Sequence, residues 1–214
     1  MSTYAEFSLD EWLAYTQANT EFARTTLDLM TQRCNNNHKR PFLLWIHDYE
    51  LLTMPLALRR MLDNNEQPLL NSSRIVFSLH TPFPTWDVFR LNPWSRDLLA
   101  GLLGAHLLVF LNTSYAGNFL ECVWRVLGAK IDRQDMIVEY DGRNTAVRVM
   151  PIGFDYEWFE ENSSKITAND NIGEKIILGI DRLDYTKGLV ERIHGYERLL
   201  EKYPEVRSKT VLFQ

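Results

Sequence analysis

The sequence predicts an α/β protein built on parallel sheets, and three observations carry that prediction. Short apolar runs rich in β-branched and aromatic residues recur at Phe42 to Ile46, Ile75 to Leu79, Leu107 to Leu111, Val147 to Ile152 and Ile176 to Ile180. Their continuous apolar character is that of strands covered on both faces. Amphipathic stretches fill the intervals: Leu51, Met54, Leu58 and Met61 or Leu62 share one helical face, as do Tyr115, Phe119, Leu120, Val123 and Leu127. Strands spaced roughly thirty residues apart and separated by helices are the signature of a parallel sheet with crossover connections.

Taken in order, the first three strands and their helices follow this rule until Leu127. There the pattern breaks into Ile131, Ile137-Val138-Glu139-Tyr140, Asp141-Gly142 and Val147-Arg148-Val149, which predicts a hairpin turning on Asp-Gly. The stretch from Glu160 to Glu174 is polar and turn-rich, and a new strand-helix unit starts after it. Leu189, Ile193, Tyr196, Leu200 and Tyr203 should line the buried side of the last helix, which Pro204 stops before a final strand at Thr210 to Phe213. We therefore expect residues 1–159 to be the carboxyl-terminal portion of one Rossmann-like domain, 160–174 a linker, and 175–214 the start of a second domain. A sheet that stops after two strands cannot close a core, so the chain reads as an internal fragment of something longer.

Composition narrows the function. An apolar content of 45% and a charged content of 24% are ordinary for a globular protein, and no apolar run approaches the roughly 18 residues of a membrane helix. The net charge of -5, without a long basic run, argues against nucleic-acid and anionic-membrane surfaces. The first residues lack the basic flank and apolar core of a secretory signal, and Cys34 and Cys122 are the only cysteines, so a reduced, cytoplasmic setting is expected. The cysteines lack zinc-site spacing, no metal is indicated, and neither a Walker loop nor a Gly-x-Gly-x-x-Gly fingerprint is present. Trp86, Trp94 and Trp124 read as packing residues.

Three segments could carry chemistry. Trp45-Ile46-His47-Asp48-Tyr49 places Asp48 at the carboxyl end of a strand, where open α/β sheets bind ligands. A carboxylate there can orient sugar hydroxyls or stabilise a cationic transition state; it can equally cap the next helix, with His47 a satisfied core side chain. Ser78-Leu79-His80-Thr81-Pro82-Phe83-Pro84 repeats the arrangement one strand later, its prolines restricting His80, which either donates to a sugar or phosphate oxygen or is structural. In Gly179-Ile180-Asp181-Arg182-Leu183-Asp184-Tyr185-Thr186-Lys187-Gly188 a strand turns sharply into a helix, with Arg182 in the turn and Lys187 at the helix start. Two cations beside a helix amino end can hold a diphosphate and stabilise it as a leaving group; the competing reading is a solvated salt-bridge network among Asp181, Arg182, Asp184 and Lys187.

These motifs, with Gly101-Leu102-Leu103-Gly104-Ala105 and Pro151-Ile152-Gly153-Phe154-Asp155, stand in an order and spacing that resemble the trehalose-6-phosphate synthases, from near Trp12, Tyr15, Asn19, Phe22 and Ala23 to Gln214. The resemblance implies a GT-B architecture, two Rossmann-like domains across a cleft, in which glucose passes from UDP-glucose to glucose 6-phosphate with retention and without a metal or other cofactor. It implies that Asp48 is the acceptor-side carboxylate, that His80 lies near the transferred glucose, and that Arg182 and Lys187 grip the donor diphosphate. A homo-oligomer or a synthase complex of the longer parent is compatible with it.

The sequence departs from the family pattern at two places. Glu50 stands where the family usually has His, and Phe110-Leu111-Asn112-Thr113-Ser114-Tyr115-Ala116-Gly117-Asn118-Phe119 replaces Phe-His-Thr-Tyr-Asp-Tyr-Ala-Arg-His-Phe. A non-catalytic regulatory homologue, binding sugar phosphate or a synthase subunit, is the alternative those departures support; an unrelated α/β binding module is a third. The family's Gly-rich loop and phosphate-binding Arg lie upstream of the matched region, and its ribose-binding acidic segment lies downstream. The isolated chain is therefore expected to lack synthase activity.

Overall fold

The computed structural model describes residues 6–36, 38–165 and 175–214. The chain divides into two compact units, one ending at Gly153 and the other beginning at Phe154.

The first unit opens with a long helix, α1 (Leu9–Asn35), capped by the Ser8 hydroxyl, which accepts from the Glu11 N–H. There follow β1 (Leu43–His47), α2 (Met54–Asp63), the short α3 (Pro68–Asn71), β2 (Arg74–Leu79), the short α4 (Trp86–Phe89), α5 (Ser95–Leu102), β3 (Leu107–Phe110) and α6 (Thr113–Leu127). Three strands, β4 (Lys130–Asp132), β5 (Ile137–Tyr140) and β6 (Arg143–Val149), complete one six-stranded sheet of order β1-β2-β3-β6-β5-β4. β1, β2, β3 and β6 are parallel; β4 and β5 run antiparallel to their neighbours. The predicted hairpin is present between β5 and β6, with Asp141 at φ 50° and Gly142 at φ 71°, the pair of positive angles that a two-residue type I′ turn requires.

Because β1, β2 and β3 succeed one another in a single direction across the sheet, right-handed crossovers place α2 and α5 on one face. α6 packs beside α5 and against β3 and β6, and α1 lies on α2. Leu58 and Leu62 of α2, Leu99 and Leu102 of α5, and Phe119 and Val123 of α6 meet Ile75, Phe77, Leu108, Phe110 and Val147 of the strands in the core. The opposite side of β1 is open. Leu43 is 69% exposed and Trp45 59%, and His47 is exposed, whereas Ile46 between them is buried. The expected cover on both faces is thus realised on one face of β1, which is one of the two edge strands of the sheet.

Two close approaches explain the Gly-Leu-Leu-Gly segment. A Cβ on Gly101 would lie 2.6 Å from the Leu52 carbonyl oxygen, and one on Gly104 would overlap the backbone of Pro55 and Leu56, so glycine lets this segment contact the start of α2. Trp94 stacks on Trp12 of α1 with centroids 4.9 Å apart, and Trp86 and Trp124 flank the Arg125 guanidinium at 5.5 and 5.6 Å; Trp86 and Trp94 pack as expected, whereas Trp124 is exposed on α6. At the amino end of β3, His106 accepts from the Ile75 N–H through Nδ1 at 3.0 Å, with the Arg59 guanidinium against its ring. Burial, then the nearby Arg59 and Arg74 charges, push this imidazole down to about 4, which keeps it neutral.

The second unit contains α7 (Tyr156–Ser163), β7 (Lys175–Leu178), α8 (Leu189–Lys202) and β8 (Thr210–Phe213), with β7 and β8 parallel across the α8 crossover. Several sequence expectations are corrected here. Residues 160–163 belong to α7, not to a linker, and the rest of the predicted linker from 166 to 174 lies outside the described residues. The strand predicted through Ile152 ends at Val149, and that predicted through Ile180 ends at Leu178. Of the predicted inner face of the last helix, Leu189, Tyr196 and Leu200 are half-buried, while Ile193 and Tyr203 are exposed, as are Ile176, Ile177 and Leu178 of β7. Among the described residues no helix is long and apolar enough to cross a membrane.

Candidate functional site

The parallel strands β1 and β2 end side by side, with His47 paired in register to Ser78, so Asp48 and His80 emerge at the same carboxyl edge. This is the edge at which open α/β sheets bind ligands. Asp48 leaves β1 at φ 69°, ψ 173°, a backbone region that essentially only glycine occupies at no cost. The surroundings hold it there. Its N–H donates to the Ser78 carbonyl at 2.9 Å and its carbonyl accepts from the Leu51 N–H at 3.2 Å. Its Oδ1 accepts from the backbone N–H of Tyr49 at 3.1 Å and of His80 at 3.3 Å. The capping role anticipated for Asp48 is therefore real but serves only the single 3-10 turn Tyr49–Leu51, and the same oxygen also ties the two strand ends together.

Helix α1 fixes that turn from behind. The Tyr15 hydroxyl donates to the Tyr49 carbonyl at 2.8 Å and accepts from the Leu52 N–H at 2.9 Å, while burial pushes its ionisation up to about 12 and keeps it a donor. The Asn19 amide donates to the Glu50 carbonyl at 2.9 Å, and its Oδ1 accepts from the Met54 N–H at 3.0 Å. In the sequence Tyr15 and Asn19 carried the family likeness without a role; their role is to hold the backbone after Asp48. Glu50 contributes its carbonyl to this lattice, and its side chain is exposed.

His80 is exposed, and its ring meets a partner that the sequence did not suggest. His47 Nδ1 lies 2.8 Å from His80 Nε2, with the two rings parallel within 5°. His47 is thus on the open face of β1 and is not the satisfied core histidine that was one of its readings. The Pro-rich loop after His80 is held by Asn118, whose amide donates to the Phe83 carbonyl at 3.0 Å. Asn112 caps α6 by accepting from the Tyr115 N–H at 2.9 Å. Two residues of the divergent patch therefore have structural work, whereas Gly117, exposed on α6, has nothing within 4 Å of where a Cβ would stand.

In the second unit, Arg182 precedes and Lys187 ends a 3-10 turn, Tyr185–Lys187, and α8 begins only after Gly188, which adopts φ 60°. Lys187 is thus in the turn before the helix, not at its first residue. The anticipated four-residue salt-bridge network is not formed: Asp181 pairs with Arg192 at 2.7 Å, and Asp184 accepts from the Thr186 N–H at 2.9 Å and hydroxyl at 3.0 Å. Those bonds, and then the Arg182 and Lys187 charges, hold the Asp184 carboxyl below its usual range. Neither Arg182 nor Lys187 forms a salt bridge with a described residue. Among the described residues no group of three or more His, Cys, Asp or Glu side chains is placed to hold a metal ion.

Comparison with known proteins fits this geometry. The chain is 36% identical over 98% of its length to the 56 kDa subunit of the UDP-forming alpha,alpha-trehalose-phosphate synthase of Saccharomyces cerevisiae, and 34% identical over 98% to the Yarrowia lipolytica enzyme of that name. It spans only 42% and 44% of those two proteins. Among solved structures, the E. coli protein bound with UDP-2-fluoro glucose superimposes with a TM-score of 0.77 at 28% identity, covering 97% of this chain and 44% of that one. The Burkholderia xenovorans synthase in complex with glucose-6-phosphate gives a TM-score of 0.77 at 26% identity, with the same shares. The six-stranded sheet and its helices are therefore the fold of the GT-B trehalose-phosphate synthases. A family model for glycosyltransferase family 20 matches residues 2–214, and the chain belongs to that family.

Proposed function

We propose that this chain supplies part of a cytoplasmic, retaining glycosyltransferase that moves glucose from UDP-glucose to glucose 6-phosphate, releasing UDP and trehalose 6-phosphate. The observation that carries the reading is Asp48: a non-glycine residue held in a glycine-only conformation at the ligand-binding edge, in a chain of family 20. Strain of this kind persists where a side chain is needed in one place.

In this reading Asp48 accepts hydrogen bonds from acceptor hydroxyls, and His80 contacts the glucose being transferred. Arg182 and Lys187 bind the donor diphosphate and, without a metal, stabilise the negative charge that grows on it as the glycosidic bond breaks. The departing diphosphate then receives the acceptor proton on the same face, which accounts for retention. The chain alone spans less than half of its relatives, so the cleft needs the rest of such a protein to align donor and acceptor.

The test is UDP release from UDP-glucose and glucose 6-phosphate by the reading frame that contains this sequence. Arg182→Ala and Lys187→Ala should each lower kcat by about a hundredfold or more, and the 214-residue chain alone should give no trehalose 6-phosphate. The open position at Gly117 favours a second reading, a regulatory homologue that binds sugar phosphate without turning it over. Sugar-phosphate binding with no UDP release from the complete frame would select it.

A further inference from the structure

The hydrogen bond between His47 and His80 has no place in the roles given above. His47 is the last residue of β1, and His80 follows the last residue of β2. Their nitrogens are 2.8 Å apart, Nδ1 of His47 to Nε2 of His80, with ring centroids 5.1 Å apart and planes within 5°. Two exposed imidazoles in water have little reason to stay in one geometry. Here each element around them is pinned. The Trp45 indole N–H donates to the Ser78 hydroxyl at 2.8 Å, and the Trp45 ring lies 4.9 Å from the His47 ring. On the other side, the His80 backbone N–H donates to Asp48 Oδ1.

A bond between two neutral imidazoles fixes a tautomer, because one nitrogen must carry the proton and the other must be bare. If His80 Nε2 is the bare one, its single N–H is on Nδ1, which has no hydrogen-bond partner among the described residues. Asp48, as a carboxylate, can only accept. With His80 as donor the edge presents one acceptor and one donor, the pair that a sugar hydroxyl, both donor and acceptor, requires. A phosphate or glycosidic oxygen likewise requires the donor.

We propose that His47 is a positioning residue: its Nδ1–H donates to His80 Nε2, fixes the ring, and leaves a single N–H on His80 Nδ1 for a sugar or phosphate oxygen of the ligand. Both the direction of this bond and its consequence for turnover rest on the glycosyltransferase reading, but the tautomer can be read without turnover.

The experiment therefore has two arms. Long-range proton-nitrogen correlation spectra of the 15N-labelled chain should show His80 with a bare Nε2 and a protonated Nδ1. In His47→Phe, which keeps a ring beside Trp45 but no nitrogen, His80 should shift to the ordinary aqueous mixture dominated by Nε2–H. In His47→Asn, whose side-chain amide can occupy the place of the Nδ1–H donor, the wild-type tautomer should return. A protonated Nε2 on wild-type His80, or an unchanged tautomer in His47→Phe, overturns the proposal.

In the reading frame that contains this sequence, His47→Phe should lower kcat by about tenfold to a hundredfold, with KM for glucose 6-phosphate little changed. His47→Asn should recover most of that loss. Equal losses in both variants, with unchanged thermal midpoints, overturn the positioning role. If the wild-type frame transfers no glucose, the proposed function fails, and the spectra still decide whether His47 sets the His80 tautomer.

Discussion

The conformation of Asp48 makes a stability prediction opposite in sign to the ordinary rule for glycine. In most settings glycine costs about 0.5–1 kcal/mol relative to alanine, because its unfolded chain has more freedom to lose. At φ 69°, ψ 173° any side chain bearing a Cβ is strained, and such strain is of the order of 1–3 kcal/mol. The backbone cannot relax cheaply, since a change of angle would break the Asp48 N–H bond to Ser78 or the Leu51 N–H bond to the Asp48 carbonyl. Asp48→Ala and Asp48→Gly both remove the carboxylate bonds to Tyr49 and His80, so their difference isolates the strain. Subtracting the ordinary glycine penalty from the strain leaves the Gly variant more stable than the Ala variant by up to about 2.5 kcal/mol, and by about 1 kcal/mol at the middle of both ranges.

Urea unfolding of the chain, followed by tryptophan fluorescence and far-UV circular dichroism, measures that difference directly. In heat unfolding a difference of about 1 kcal/mol should raise the melting temperature of the Gly variant roughly 2–4 °C above that of the Ala variant. Asp48→Asn, which keeps an acceptor oxygen and the strained backbone, should lie within about 1 kcal/mol of the wild type. An Ala variant more stable than the Gly variant by the ordinary glycine penalty of about 0.5–1 kcal/mol would show that the angle carries no cost and would remove the main structural support for a functional Asp48. Glucose transfer by the complete frame should be lost in all three variants, so stability and activity separate.

Two further outcomes follow from the same physical reasoning. Gly104→Ala should destabilise the chain by about 2–3 kcal/mol, because its Cβ would overlap the backbone of Pro55 and Leu56. Gly117→Ala, on an exposed helix position with open space, should stabilise it by about 0.5–1 kcal/mol; matching urea midpoints for the two variants would contradict both. His106 predicts a pH dependence. The unfolded chain takes up its proton near 6.5, whereas the folded one resists until about 4, so the unfolded state binds more protons in between and stability rises with pH across that window. The contribution is complete above 6.5 and is lost as pH falls through about 4. For a half-buried ring we expect about 1–2 kcal/mol. His106→Asn, which retains an acceptor for the Ile75 N–H, should flatten this part of the profile, and an unchanged urea-midpoint profile between pH 6.5 and 4 would refute the assignment.

The parallel strands were legible because runs such as Leu107 to Phe110 are apolar enough to exclude other readings, and the hairpin because Asp141-Gly142 takes two positive φ angles. α1 was not legible. A core-facing stripe of Trp12, Tyr15, Asn19, Ala23, Leu27, Met30 and Cys34 runs along it, but the stripe includes polar Asn19 while apolar Leu9, Leu13, Phe22 and Leu29 are exposed on other faces, so hydrophobicity does not single it out. α7 has no buried residue, and its Asn162-Ser163 end reads as a turn. The open face of β1 was hidden for a related reason: Leu43 and Trp45 are as apolar as their buried neighbours, and sequence alone does not say which apolar residues are covered. Asp48 and His80 could be placed because strand ends can be read from the chain. The contact of His47 with His80 could not, because it depends on the register of two strands 33 residues apart.

That distinction bears on how the site tolerates its departures from the family pattern. Asp48 is fixed by bonds from three separate segments: its own turn, the end of β2, and α1 acting through Tyr15 and Asn19 on the turn's backbone. None of these bonds uses a side chain from the divergent stretch 111–118. Within that stretch Asn112 and Asn118 bond to backbone atoms, so they secure the α6 cap and the loop after His80, and Gly117 leaves its position open. Losses there can release the loop after His80 or the α6 cap while the bonds that hold Asp48 are kept. The structure thus separates the bonds that hold Asp48 from those that hold the loop and helix beside it. The sequence departs from the family pattern mainly in that second neighbourhood, so the departures fall on the α6 cap and the loop after His80 and not on the bonds that hold Asp48.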